Sequence, residues 1–285
     1  MVYFPLIAHY GSIIKEKMAK NRVETIYEDG QIIAVNKPSG ISITVDGTGK
    51  TTLLDFLQKQ RKDKEKLKIV HQLDKEASGI IILAKNTDAQ RKMSQYFENG
   101  QVRNIYLAFV AGTGLERTGV IDAPLGEDFK KRQKIYVDLK HGKDAQTKWQ
   151  TLADFGSISL IAVLPITDIT HQIQVHLQHA GMPLAIDPLY GQNDGIMLSS
   201  FKYSYRLGKF AEEKPLIDRL TLCAYELRIE NYQDGKELRL IAPLEKKFKA
   251  TVKMLTKYNT NGPEAFVEEE TFNRLVNAEA LILDI

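Results

Sequence analysis

Apolar residues in this chain occur in short runs of strand length, and this feature restricts the possible folds most. Such runs cover residues 32–35, 79–84, 106–111 and 158–164. Runs this short, bounded by turn signals, are typical of buried strands. Segments with helical spacing lie between them, without a strict alternation of the two kinds. This order favours an α+β fold with a sizeable sheet over a doubly wound parallel fold.

Helices are predicted where apolar residues recur every three to four positions behind a capping residue. Thr51 or Thr52 can cap a helix whose apolar face contains three leucines. Asn86 precedes a second helix, which glycine closes at Gly100. The spacing also predicts a helix over residues 170–180 and an amphipathic helix around Phe248, Val252 and Leu255. The acidic tail, residues 264–285, is predicted to be helical as well.

Composition is that of an ordinary globular protein. Hydrophobic residues make up 43% and charged residues 26%, which excludes a disordered chain. The formal net charge of +3 permits a nucleic-acid partner without demanding one. The single cysteine, Cys223, excludes an intrachain disulfide framework and a multi-cysteine zinc site. No apolar run approaches the roughly 20 residues of a membrane helix and no signal peptide is recognisable, so we expect a cytoplasmic protein with no membrane partner.

The first segment that could carry chemistry is polar and covers residues 70–79, directly before an apolar run. Asp74 in this segment could be a nucleophile, a general base or a turn residue that caps the local backbone. Spacing alone favours the turn, because aspartate is common at such positions. His71 is equally compatible with a structural role.

The second segment covers residues 167–179 and contains three histidines. A metal-dependent hydrolase could be built on His171, His176 and His179, of which the last two could share a helix face. No companion carboxylate stands at a fixed spacing, so structural histidines are the better interpretation. The sequence contains no P-loop, no glycine-rich dinucleotide fingerprint and no G-x-S-x-G elbow.

Each of these motifs is weak alone, but in their order along the chain they resemble the RluA-type pseudouridine synthases. Those enzymes isomerise uridine in ribosomal or transfer RNA. The resemblance covers residues 24–255. It is carried by Val35-Asn36-Lys37-Pro38-Ser39-Gly40, His71-Gln72-Leu73-Asp74 with Ser78-Gly79, Ile105-Tyr106-Leu107-Ala108, Thr170-His171-Gln172-Ile173 and Asp187-Pro188-Leu189-Tyr190-Gly191.

The resemblance implies a mixed, mainly antiparallel central sheet with flanking helices and a central cleft. It implies that Asp74 is the catalytic carboxylate and that Tyr106 stacks on the base or relays a proton. No metal and no organic cofactor is implied. The target nucleotide must be flipped out of its stack, at a cost of roughly a few kcal/mol. The remaining residues assigned to substrate binding are Lys37, Gln72, His171 and Gln174.

The sequence departs from the family at three positions where arginine is usual, namely Gln72, Ile169 and Gln174. The family's basic residue at the last of these positions pairs with the catalytic carboxylate. Loss of a close cation should raise the pKa of Asp74, unless another cation substitutes for it. Lys37, Arg103 and Lys143 are candidates for that substitution.

Two hypotheses about function therefore stand. The first is an active RNA pseudouridine synthase with an altered cleft, which retains Asp74 and Tyr106. The second is a catalytically impaired RNA-binding or interaction module of the same fold, suggested by the lost arginines. We expect a monomer that binds ribosomal or transfer RNA and no DNA.

Three regions of the chain are predicted from the same resemblance. Residues 1–21 form an N-terminal extension, residues 22–256 the catalytic domain and residues 257–285 an acidic C-terminal extension. RNA docking is expected on residues 59–68 and 129–134, where basic side chains are frequent.

Overall fold

The structure, a computed structural model, describes residues 23–47, 49–61, 66–112, 114–128, 134–208 and 211–285. The strands in these ranges are β1 (Glu24–Glu28), β2 (Ile32–Lys37), β3 (Lys68–Ile69), β4 (Ser78–Ala84), β5 (Val102–Ala111), β6 (Thr118–Asp122), β7 (Leu125–Asp128), β8 (Lys134–Val137), β9 (Gln146–Asp154), β10 (Ile158–Pro165), β11 (Leu222–Gln233) and β12 (Lys236–Ile241). The α-helices are α1 (Leu53–Gln60), α2 (Thr87–Glu98), α3 (Gln172–His179), α4 (Lys246–Tyr258) and α5 (Thr271–Asn277). Short 3₁₀ helices cover Leu198–Ser200 and Gly262–Ala265.

One large sheet runs through the molecule in the order β1-β2-β4-β11-β5-β10-β9-β6, with β3 added beside β4 and β12 beside β11. The pairs are antiparallel except for β4 with β11, which is parallel. Strands β7 and β8 form a separate hairpin. The prediction of an α+β fold with a mixed, mainly antiparallel sheet is confirmed.

The parallel contact between β4 and β11 is short and joins the two halves of the large sheet. It consists of two residue pairs, Ser78 with Cys223 and Gly79 with Ala224. Gly79 has a φ of +112°, and a Cβ built there would lie 2.0 Å from the carbonyl oxygen of Ala224. Only glycine allows the two backbones to approach this closely.

Successive side chains of β5 point to opposite faces of the sheet, and each face has its own hydrophobic core. Tyr106 and Ala108 belong to the buried cluster that also contains Ile173 and Leu177 of α3. Leu107 and Phe109 point to the opposite face, where the ring of Phe109 stacks on Phe248 of α4 at 4.6 Å. The predicted amphipathic helices thus cover opposite faces, and Tyr106 lies on the face of α3.

The predicted helix starts agree with the structure. Thr52 caps α1 in a capping box with Asp55. Asn86 caps α2 by accepting a hydrogen bond from the amide of Ala89 at 2.8 Å. Helix α3 begins two residues later than predicted, because His171 has a left-handed backbone with a φ of +57°.

The acidic tail contains the end of the 3₁₀ helix Gly262–Ala265 and one α-helix, α5, so the helical prediction for residues 264–285 is right in part. Phe266, Leu275 and Leu281 of the tail are buried in the same cluster as Phe248. The amide of Leu281 donates to the carboxylate of Glu226, which is fully buried between two arginines. The tail therefore packs on the face opposite to α3.

No helix within the described ranges has the length and apolar character needed to cross a membrane. Residues 1–21 lie outside the described ranges, as do residues 62–65 and 129–133 of the two predicted docking segments.

Candidate active site

A cavity of about 370 Å³ opens on the α3 face of the sheet and is called the Asp74 cavity here. Three parts of the chain form it: the loop 70–74 before β4, Tyr106 with Leu222 on the sheet, and residues 165–174 leading into α3. Four of the predicted site residues line it together with Asp74. They are Gln72, Tyr106, His171 and Gln174.

Asp74 lies in the loop between β3 and β4, and its side chain remains 30% exposed. Its backbone carbonyl accepts a hydrogen bond from the amide of Ala77 at 3.1 Å, so the turn expected from the spacing is present. Burial raises the pKa of the Asp74 carboxyl, the charges of His171 and Lys37 lower it, and the charge of Asp187 raises it further. The carboxylate thus faces the cavity and depends on nearby cations to remain ionised.

The Lys37 side chain is completely buried and does not line the Asp74 cavity. Its ammonium donates to the carbonyl oxygens of Pro38, Ile41 and Lys75 at 3.3, 3.1 and 2.9 Å. Burial lowers the pKa of Lys37 to about 7, although neighbouring carboxylates oppose this change. Lys37 therefore binds the loop that carries Asp74 and influences the carboxylate from beneath, rather than reaching the cavity.

Tyr106 stands on β5 opposite the loop and is 9% exposed. Its hydroxyl accepts a hydrogen bond from the side-chain amide of Asn104 at 3.0 Å. Burial, together with the charges of Asp168 and Asp74, raises the pKa of Tyr106. The phenol therefore stays protonated, so it can donate a proton or a hydrogen bond but cannot act as a ready base.

Gln174 points its amide nitrogen at both carboxylate oxygens of Asp187, at 3.1 and 3.0 Å. This contact fixes the orientation of the amide, because the opposite orientation would place its oxygen against a carboxylate. The side-chain oxygen of Gln174 is buried and has no hydrogen-bond partner among the residues that the structure describes. An unpaired buried acceptor beside a cavity is costly unless a ligand donates to it.

His171 connects Asp74 to the other side of the cavity. Its Nε2 lies 3.8 Å from Oδ1 of Asp74. Its Nδ1 lies 2.9 Å from the hydroxyl of Tyr190, which also accepts a hydrogen bond from the amide of Ile135 at 3.0 Å. One side of the imidazole is therefore held by the Tyr190 hydroxyl, and the other side faces the loop that carries Asp74.

The predicted substitutes for the lost arginine are not at the carboxylate. Arg103 of β5 pairs with Glu230 of β11 at 3.2 Å, and neither Arg103 nor Lys143 lines the cavity. Within the part of the chain that the structure describes, His171 is the only ion-pair partner within 4 Å of the Asp74 carboxylate. Ile169, the third lost arginine position, also lines the cavity.

The other two histidines of the second segment have different surroundings. Both ring nitrogens of His176 are bonded within the protein, to Thr147 at 2.8 Å and to the carbonyl of Ala123 at 2.9 Å. His179 is exposed at the end of α3. No group of three or more His, Cys, Asp or Glu side chains in the described ranges could hold a metal ion. The contacts of His176 agree with its interpretation as a structural histidine.

His71 shows why the loop that carries Asp74 should be sensitive to acid. Its buried ring stacks on Phe97 at 4.8 Å, and its Nε2 accepts a hydrogen bond from the amide of Ile82 at 2.9 Å. A protonated imidazole could not accept this bond, and burial lowers the pKa of His71 to about 4. The loop is thus anchored by a neutral histidine.

We expect the free energy of unfolding to fall as the pH decreases from about 6.5 to 4, because unfolded histidine binds a proton in this window and buried His71 does not. A pKa difference of this size corresponds to about 3 kcal/mol. Urea unfolding at pH 7 and pH 4.5 tests this, with His71→Gln as the comparison, since glutamine can accept the Ile82 bond but does not titrate. Equal losses of stability in both proteins would contradict it.

A family model described as RNA pseudouridylate synthase matches residues 31–179, and this range contains the loop of Asp74, Tyr106 and the whole of α3. The chain belongs to the RNA pseudouridylate synthase family. Its members are isomerases, and the activity of this synthase is the conversion of uridine to pseudouridine in RNA.

Curated relatives agree with this assignment. The synthase is 33% identical over 77% of its length to ribosomal large subunit pseudouridine synthase D of Borreliella burgdorferi, covering 71% of that protein. It is 31% identical over 84% of its length to ribosomal large subunit pseudouridine synthase C of Haemophilus influenzae, covering 70% of that protein.

Solved structures show the same fold. Human RNA pseudouridylate synthase domain containing 4 superposes with a TM-score of 0.62 at 22% identity, over 87% of this synthase and 97% of that chain. Human RNA pseudouridylate synthase domain containing 1 gives a TM-score of 0.61 at 23% identity, over 78% and 84% of the two chains.

Two residues of the synthase site were not singled out from the sequence. Asp187 and Tyr190 belong to a turn that says little alone, yet Asp187 holds Gln174 and Tyr190 holds His171. Asp187 also accepts hydrogen bonds from the amides of Leu189 and Tyr190 at 2.9 and 3.0 Å. The motif that contains them was visible as part of the resemblance, but these contacts depend on how the turn packs against α3.

Proposed function

We propose that this synthase isomerises uridine in ribosomal RNA, with Asp74 as the catalytic carboxylate. The observation that carries the proposal is the exposure of this carboxylate in a cavity of about 370 Å³ that Tyr106 also lines. That volume is within the usual range for sites that hold a small molecule or a single nucleotide. Ribosomal RNA is chosen because the curated relatives cited above carry the large ribosomal subunit in their names.

The chemistry explains why an ionised carboxylate is needed. The bond between N1 of uracil and the ribose breaks, the base rotates, and C5 forms the new bond to the same ribose carbon. The proton at C5 is then lost and N1 gains one, so the reaction conserves all atoms. Asp74 can act as a nucleophile at the sugar or the base, or as a base that removes the ribose 2′ proton. In each case the charged form is the active one.

The other cavity residues hold and orient the flipped nucleotide. The Tyr106 ring supplies a stacking surface, and its protonated hydroxyl can return a proton. The free oxygen of Gln174 accepts a hydrogen bond from the nucleotide, for which the N3–H of uracil is a suitable donor. Gln72 is exposed at the mouth of the cavity and can bond to the base left unpaired in the RNA.

Docking of the RNA is proposed on the basic segments 59–68 and 129–134 around the catalytic domain, residues 22–256. Lys134, at the end of the second segment, lies over the ring of Tyr190 with its ammonium 5.4 Å from the ring centroid. Tyr190 contacts His171, which lines the cavity, so this lysine is close to the cavity. In this proposal residues 257–285 do not bind RNA and instead cover the hydrophobic core on the face of the sheet opposite to α3. We further propose that the synthase works as a monomer in the cytoplasm, where it meets ribosomal RNA.

The proposal predicts new pseudouridines when the purified protein is incubated with unmodified ribosomal RNA. Mapping of pseudouridine positions in large-subunit RNA, with transfer RNA as the comparison substrate, identifies the RNA class. Modification of transfer RNA alone would overturn the ribosomal assignment. Absence of pseudouridine from both RNAs, with RNA binding that is indifferent to Asp74→Asn, would instead support the impaired binding module.

A further inference from the structure

We propose that His171 replaces the missing arginine as the cation that positions and holds the ionised Asp74. This inference rests on the proposed role of Asp74. It makes His171 a positioning residue for the carboxylate, whereas the sequence alone suggested a contact with substrate. It also implies that catalysis requires a proton on the imidazole at the same time as a charge on the carboxylate.

The geometry directs the imidazole at Asp74. Nε2 of His171 lies 3.8 Å from Oδ1 of Asp74, a distance that a small movement on RNA binding can shorten to a hydrogen bond. The opposite nitrogen is fixed by the Tyr190 hydroxyl at 2.9 Å. The two rings meet edge to face, with an interplanar angle of 73° and centroids 5.5 Å apart. Tyr190 is itself fixed by the Ile135 amide at 3.0 Å.

The backbone supports the same orientation. His171 adopts a φ of +57° directly before the first turn of α3. This conformation is uncommon for a residue other than glycine and persists only where the surroundings require it. The strained residue in this segment is the one whose side chain bridges Asp74 and Tyr190.

The charged groups around the imidazole are mostly acidic. Three carboxylates belong to this site, from Asp74 in the loop, Asp168 before α3 and Asp187 after it. Opposing them, Lys37 acts from beneath the loop through carbonyl contacts, and Lys134 lies over the Tyr190 ring. Tyr106 and Tyr190 have raised pKa values and are uncharged, and Gln174 is neutral. Among the described residues, His171 is the side chain within 4 Å of the Asp74 carboxylate that can carry a positive charge.

Loss of this partner has a consequence for the pH profile. We expect the rate to fall on the acid side as Asp74 gains a proton, because the charged carboxylate is the active form. A neighbouring cation keeps the carboxylate ionised at lower pH, so removal of the imidazole should move this fall to higher pH. Removal of a merely structural histidine would leave the acid-side fall in place.

The first test compares pH profiles of kcat for the wild type, His171→Gln and His179→Gln. His179 is an exposed histidine on the same helix and provides the matched control. We expect His171→Gln to lose about tenfold or more in kcat near neutral pH, with a small change in KM, and to show its acid-side fall at a higher pH. His179→Gln should keep the wild-type profile. An acid-side fall at the same pH in His171→Gln and in the wild type would overturn the inference.

A second variant tests the exchange directly. His171→Gln combined with Gln174→Arg restores a cation near the carboxylate, so kcat should recover and the acid-side fall should return to lower pH. A third measurement needs no activity: the pKa of the Asp74 carboxyl, followed by NMR, should rise in His171→Gln. An unchanged pKa would overturn the role of His171 even if no RNA were modified, whereas a raised pKa in an inactive protein would overturn only the proposed function.

Discussion

Replacing Asp74 with asparagine should reduce the rate of pseudouridine formation at least about a thousandfold, since an amide can neither attack the nucleotide nor remove a proton. The substitution keeps the shape of the side chain and removes a carboxyl whose pKa is raised by burial. Folding should therefore be unaffected. RNA affinity should be unchanged or slightly increased, because one negative charge leaves the cavity.

The measurement follows the proton that C5 of uridine loses, with RNA tritiated at that carbon. Asp88→Asn provides the matched control, because this carboxylate is 92% exposed on α2 and does not line the Asp74 cavity. We expect the control to release tritium at the wild-type rate. Release by Asp74→Asn at a comparable rate would remove the central residue from the proposed mechanism.

The second large effect is expected from Gly79→Ala, which should lower the free energy of unfolding by more than about 3 kcal/mol. The added methyl group would lie 2.0 Å from the carbonyl oxygen of Ala224, a backbone atom that cannot rotate away. The φ of +112° adds strain for any residue with a Cβ. The parallel contact between β4 and β11 has only two residue pairs, so it has little other support.

Urea denaturation measures this loss, with Gly30→Ala as the control. A Cβ at Gly30 meets no atom within 4 Å and the residue has no positive φ. That change should alter stability by less than about 0.5 kcal/mol. If Gly79→Ala were as stable as the wild type, the close approach of β4 and β11 at this position would not be needed for stability.

The secondary structure could be predicted because the signals are local. Short apolar runs gave strands such as β4 and β5, since a strand buried on both faces needs apolar residues at every position. Thr52 and Asn86 identified helix starts, because a cap acts within a single turn. The tail could not be predicted in the same way. Phe266 and Leu281 are buried against strands that are far away in the sequence, and no periodic pattern in the tail predicts such contacts.

The sequence predicted which residues belong to the site, but not the contacts that they make with one another. Asp74 and Tyr106 were identified by the resemblance, and they line one cavity. The direction of Lys37 was not predictable, because only the fold shows that its ammonium turns inward to carbonyl oxygens. The approach of His171 to Asp74 depends on a left-handed backbone and on Tyr190, neither of which spacing reveals.

The enclosed amine of Lys37 makes movement of the Asp74 loop measurable by chemical labelling. The side chain has no exposed area, so an acylating reagent can react with it only after the segments around it move. Burial is what lowers the pKa of this amine to about 7, so an uncovered amine regains the higher pKa of an exposed lysine and is best labelled at alkaline pH. The acylation rate, measured by mass spectrometry, therefore reports how often the loop opens, and bound RNA that holds the loop closed should lower that rate.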